Sequence, residues 1–155
     1  MAPFFDPHAG LERGEERCGR ETAASPEEFV MEFIHAPKAC ASVGPYSHCV
    51  KAGSTYYLCG QVPFHPVTGE VVGKDMKEQA AQTLANMEAV LEAAGLAVAD
   101  IAKTTVFVTN MEDFDAFNEA YKAFMGEHRP ARVCVEVSNI AHGCLLEMDA
   151  ICFKE

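Results

Sequence analysis

Arg132 and Glu147 are the two side chains whose types and spacing best suit chemistry on a small organic acid. An arginine presents a planar fork of N–H donors that matches a carboxylate bidentately. A nearby carboxyl group can position water and pass protons. Both residues sit in runs that alternate polar and apolar, Pro130-Ala131-Arg132-Val133-Cys134-Val135-Glu136-Val137 and Leu145-Leu146-Glu147-Met148-Asp149-Ala150. The link from Ser138 to Gly143 is short and carries Asn and Gly, which reads as a β-hairpin. On that reading Val133, Val135 and Val137 share one face of the first strand, and Leu146, Met148, Ala150 and Cys152 share one face of the second. Arg132, Cys134, Glu136, Glu147 and Asp149 then point the other way. A hairpin centred between Ile140 and Ala141 sets Cys134 opposite Glu147, with Arg132 diagonal to it at roughly 7–8 Å. The same arrangement also reads as an ordinary ion pair on a solvated sheet face, which is worth little. Types and spacing alone leave both readings open.

The elements that hold this pair follow from the rest of the chain. Phe29 to Ile34 reads as a first strand, closed by Ala36-Pro37. Val43-Gly44-Pro45-Tyr46-Ser47 reads as a rigid turn, since Pro fixes φ and Gly permits unusual backbone angles. Strands over Ser47–Val50 and Thr55–Cys59, joined by Gly53-Ser54, form a hairpin. From Asp75 to Ala94 the period becomes helical, with Ala80, Leu84, Met87, Leu91 and Ala94 at steps of four and three. Asp75 can cap that helix and Gly95 can stop it. Ile101–Val108 is a further strand. Glu112–Met125 is a second helix, whose aromatic stripe of Phe114, Phe117, Tyr121 and Phe124 reads as core. The order β-β-β-α-β-α-β-β predicts an α+β domain, two helices on one face of a mixed six-stranded sheet.

Composition narrows the function. The chain has 155 residues, 49% of them hydrophobic, enough for one domain with a real core. No segment reaches the roughly 20 apolar residues that cross a bilayer, so no membrane partner is expected. The formal net charge is −11, with Lys and Arg scattered, and nucleic-acid binders draw their affinity from clustered basic contacts to phosphates. No nucleic-acid partner is expected. The seven cysteines (18, 40, 49, 59, 134, 144 and 152) are odd in number and contain no Cys-x-x-Cys. With no signal peptide, reduced thiols and a cytoplasmic location are expected. The six histidines lack a ligand-type spacing, and no metal site is expected. Residues 1–28 hold seven acidic and three basic residues with few aliphatics, and read as a disordered acidic extension before a domain over 29–155.

No Gly-x-Gly-x-x-Gly, Gly-x-x-x-x-Gly-Lys-Ser/Thr or Gly-x-Ser-x-Gly is present. A different set of motifs runs through the folded part: Gly44-Pro45-Tyr46, Gly60-Gln61-Val62-Pro63, Thr68-Gly69-Glu70, Glu92-Ala93-Ala94-Gly95, Lys103-Thr104-Thr105-Val106-Phe107-Val108, Asp113-Phe114 with Asn118, Pro130-Ala131-Arg132, and Glu147. In this order they resemble the Rid family of reactive intermediate deaminases, the YjgF-type proteins, over roughly Met31 to Lys154. The RidA subgroup is the most similar.

That resemblance implies a chorismate-mutase-like fold, homotrimers with sites in clefts between subunits, and no cofactor. It implies hydrolysis of 2-imino acids and their enamine tautomers, such as 2-aminoacrylate/2-iminopropanoate and 2-iminobutanoate, to 2-oxo acids and ammonia. Arg132 matches the carboxylate-binding arginine, and Glu147 the residue that positions water and manages protons. Tyr46 and Asn118 match cleft residues, and Gly60 and Cys134 match positions that line the site. The chain departs from the pattern at Cys59, where RidA proteins commonly carry Ser, since a thiol is the weaker donor. The connection Glu127-His128-Arg129-Pro130 is also shorter than in many members. Two other functions are compatible with the sequence: a non-catalytic trimer that senses small carboxylates, and the RNA-cleaving or translation-inhibiting role attributed to some relatives.

Overall fold

In a computed structural model that describes residues 30–155, the helical period from Ala80 to Leu91 gives helix α1, Met76–Ala93. Asp75 Oδ1 accepts the Glu78 N–H at 2.9 Å, which satisfies one of the free donors of the first turn. Gly95 ends the helix with φ at 67°, a left-handed angle that costs glycine little. Helix α2, Phe114–Met125, begins slightly later than its periodicity implies, because Met111–Asp113 winds as a tighter 3₁₀ turn. The acidic extension over 1–28 and the start of the domain at Phe29 lie outside the described residues.

Six strands complete the domain: β1 Met31–Ile34, β2 Cys49–Ala52, β3 Thr55–Gln61, β4 Ile101–Val108, β5 Ala131–Glu136 and β6 Leu146–Phe153. They form one sheet in the order β1-β2-β3-β6-β4-β5, antiparallel except for β4 with β5. The expected α+β class and element order therefore hold. Both helices lie on one face, where Leu58, Val106, Leu146, Met148 and Ala150 meet Leu84, Met87, Leu91 and Phe117. Met87 and Phe117 are fully buried, and each such burial stabilises the fold by roughly 1.5–3 kcal/mol.

The C-terminal hairpin is not formed. β5 pairs in parallel with β4, and β6 pairs antiparallel with β4 on its other side, so β4 separates the two strands expected to be neighbours. Parallel strands need a crossover, and α2 supplies it between β4 and β5. The link from β5 to β6 then passes β4 through a turn at Ala141–Gly143. This pairing changes which way the side chains face. Thr105 pairs with Val133 and Phe107 with Val135, so the two valines lie on the helix-free face. Arg132 and Cys134 point to the helix face instead. On β6 the residues that alternate with buried Leu146, Met148 and Ala150 are Glu147 and Asp149, which lie on the helix-free face. Arg132 and Glu147 thus sit on opposite faces of one sheet, and the diagonal pair is ruled out within a single copy.

Candidate active site

The predicted site residues fall into two groups. The first is built on β5 and α2. Arg132 Nη1 donates to Asn118 Oδ1 at 2.9 Å, and the guanidinium lies over two rings of α2, with its Cζ 4.7 Å from the Tyr121 centroid and 5.4 Å from that of Phe114. Both distances are in cation–π range. Tyr121 is itself fixed, because its hydroxyl shares a 2.9 Å hydrogen bond with Thr104 of β4, and both groups are buried. Arg132 makes no ion pair with a described carboxylate. Its fork is oriented by neutral partners and leaves donors free for an external anion. Cys134, two residues on and on the same face, is half-buried. Burial pushes its thiol up, with the Arg132 charge pulling the other way.

The second group lies near the helix-free face, on β3, β6 and the turn before β2. Leu58 pairs with Ala150 and Gln61 with Met148, so Cys59 and Gly60 together oppose the single residue Asp149. This is a β-bulge, which bends the strand and re-aims its side chains. It brings Gly60 against the Glu147 carboxyl so closely that a Cβ there would collide with Oε1 and Cδ. Glu147 makes no hydrogen bond or ion pair with another described residue. Burial pushes its carboxyl up from the ordinary range, and the Asp149 charge adds to the effect. Cys59 is pushed up to about 11, mainly by burial, so it is a neutral thiol near neutral pH. Its Sγ accepts from Gln61 Nε2 at 3.1 Å. Tyr46, half-exposed in the 43–47 turn, shares a small crevice of about 30 Å³ with Cys59 and Gly60, room for one water-sized molecule.

The structure therefore brings Asn118 and Cys134 to Arg132, and Tyr46, Cys59 and Gly60 to the Glu147 side, without joining the two groups. Sequence reasoning missed Phe114, Tyr121 and Gln61. The aromatic stripe of α2 does contribute to the core through Phe117 and Tyr121, but two of its rings also carry Arg132. Gln61 stood inside a recognised motif without a role. Among the described residues no group of three or more His, Cys, Asp or Glu could hold a metal ion, and the six described cysteines are free thiols. No described helix is long and apolar enough to cross a membrane.

A family model described as Endoribonuclease L-PSP matches residues 35–154. The chain belongs to that family. This is the YjgF-type group its motifs resemble. L-PSP relatives include a RutC family protein of Pyrococcus horikoshii, 45% identical over 81% of this chain and 100% of the relative. The Escherichia coli protein named 2-iminobutanoate/2-iminopropanoate deaminase is 44% identical over 81% of this chain and 99% of its own length. Among solved L-PSP structures, E. coli TdcF with bound serine has a TM-score of 0.76 at 40% identity, covering 80% of this chain and 99% of the other. The names within the L-PSP family thus differ, while the solved structure shares this chain's fold.

Proposed function

We propose that this protein hydrolyses reactive 2-imino acids and their enamine tautomers, such as 2-iminopropanoate and 2-iminobutanoate, to 2-oxo acids and ammonia, without a cofactor. The observation that carries the reading is the pair of prepared half-sites: a guanidinium oriented by neutral partners, and an unpaired carboxyl whose burial favours its protonated form. The deaminase name of the E. coli relative and the amino acid bound to TdcF point the same way.

The chemistry follows from the groups. Arg132, oriented by Asn118 and the α2 rings, holds the substrate carboxylate, which fixes the adjacent C=N carbon. Glu147 takes a proton from water as the water oxygen bonds to that carbon and the C=N π electrons move to nitrogen. The same carboxyl returns that proton to nitrogen, giving a carbinolamine; it then carries the hydroxyl proton to nitrogen as the C–N bond breaks, so ammonia departs and the oxygen becomes the 2-oxo group. A carboxyl whose pKa lies above the ordinary range can both accept and return a proton nearer neutral pH. Tyr46, Cys59, Gly60 and Cys134 line the substrate space. The imines also hydrolyse in water, so a modest acceleration is enough.

The two half-sites belong to different copies in this reading. The helix-free face exposes Met31, Phe33, Tyr57, Val133, Val135 and Phe153, an apolar surface suited to association. A homotrimer would bring Arg132 of one copy to Glu147 of the next, in the cytoplasm. RNA is the poorer substrate, because a chain of net charge −11 repels a phosphate backbone.

The test uses an amino-acid oxidase to generate 2-iminobutanoate in situ and follows 2-oxobutanoate formation. The protein should accelerate release, and Arg132→Ala should lower kcat/KM about 100-fold or more with its circular dichroism unchanged. Full activity in Arg132→Ala would refute the site.

A further inference from the structure

The cleft beside Arg132 is larger and more basic than a single carboxylate requires. It has a volume of about 480 Å³, within the usual range for a small-molecule site. It lies between the C-terminal half of α2 and the start of β5, and the short connection over 126–130 forms its end wall. Arg132, Lys122, Arg129 and His128 line it, and no acidic side chain does. Residues 30–155 contain nine Lys and Arg, and three of them converge here in a chain of net charge −11. Elsewhere Lys38, Lys51 and Lys154 are paired with Glu92, Glu32 and Asp100. Lys74, Lys77 and Lys103 are unpaired among the described residues but line no cavity with other cations.

Lys122 is exposed and has no ion pair among the described residues. It lies one turn of α2 beyond Asn118, whose side chain holds Arg132, so the two Cβ atoms are about 5–6 Å apart along one helix face. Lys122 thus borders the same cleft as Arg132, beside the residue that holds the guanidinium. The carbonyl end of α2 would ordinarily repel an anion. Here Arg129 Nη1 donates to the Gly126 and His128 carbonyls at 2.6 and 2.8 Å, which offsets that negative end. Glu127 stands 3.9 Å from Arg129 and is fully exposed, so solvent screens it, and Glu119, three positions before Lys122 on α2, is exposed as well. Met125 and Tyr121 supply an apolar wall for methylene groups.

We infer that this cleft is a second anion subsite, in which Lys122 and Arg129 receive the side-chain carboxylate of a 2-imino dicarboxylic acid whose 1-carboxylate lies on Arg132. The inference rests on the imine-hydrolysis reading and names the substrate class within it. The reaction is unchanged, since the second carboxylate only binds.

Two measurements test it. Turnover is compared on 2-iminobutanoate, 2-iminosuccinate and 2-iminoglutarate, each generated in situ at fixed ionic strength, with wild type, Lys122→Gln and Arg129→Gln. Either variant should raise KM for the two dicarboxylic imines about 5- to 10-fold and leave 2-iminobutanoate kinetics unchanged. Equal effects on all three imines, or none on any, overturn the subsite. In parallel, 2-oxoglutarate and 2-oxobutanoate are titrated calorimetrically. Tighter binding of 2-oxoglutarate that is lost in Lys122→Gln supports the subsite even where no imine is turned over, an outcome that would refute the deaminase reading alone. Equal binding of the two acids, with 2-iminobutanoate still hydrolysed, overturns the subsite and keeps the deaminase.

Discussion

Glu147 is held in a position that costs stability and that the proposed hydrolysis would use. Its carboxyl is half-buried against Gly60, lacks a described partner and sits near Asp149, so its folded-state pKa is raised. A raised carboxyl pKa means that the folded state binds the proton more tightly than the unfolded chain. Stability from this group is therefore full below the ordinary carboxylate range and falls as pH rises through the folded value. Glu147→Gln should raise Tm by about 1–3 °C at pH 7, with the gain vanishing near pH 4, while imine hydrolysis is lost. A thermal melt at the two pH values checks the sign. On the other face, Tyr121 is a positioning residue for Arg132. Tyr121→Leu removes the ring under the guanidinium and should raise KM about 3- to 30-fold with a smaller change in kcat. Tyr121→Phe keeps the ring and should restore most of the loss, a rescue that steady-state kinetics would reveal.

At the scale of elements, the bulge in β3 and the placement of β4 decide the site. Gly60 permits the Glu147 carboxyl to lie over the bulge, and a methyl group there would collide with it. Gly60→Ala should leave circular dichroism unchanged and lower kcat about tenfold or more by displacing Glu147. Both helices, their stops and strand β4 were legible in the sequence because periodicity and capping are local signals. Asp75 and Gly95 act as expected. The neighbour of β5 was not legible, because an alternating run reads the same beside an antiparallel β6 as beside a parallel β4. The one-position change in facing that follows moved Arg132 to the helix side. Resemblance carried Asn118 and Gly60, whose roles depend on contacts 14 and 87 positions away in the chain. The rings of Phe114 and Tyr121 were read only as core, since helical spacing cannot reveal a cation placed over them from another strand.

At the scale of the whole molecule, one sheet separates the group that would hold the substrate from the group that would move its protons. The helix-free face leaves Phe33 71% exposed and Phe153 53% exposed, so a lone copy presents a large apolar surface to water. Light scattering should give three times the chain mass, and a fully active monomer would be incompatible with a shared site. The most direct test mixes two defects. Arg132→Ala and Glu147→Gln should each lose most activity when made alone, because every site lacks one group. Co-expressed, they should form mixed assemblies in which Arg132 of one copy meets Glu147 of the next. Recovery of a measurable fraction of wild-type 2-iminobutanoate hydrolysis in the purified mixture is the predicted result. A mixture as inactive as its two components would contradict a site built from both faces of neighbouring copies.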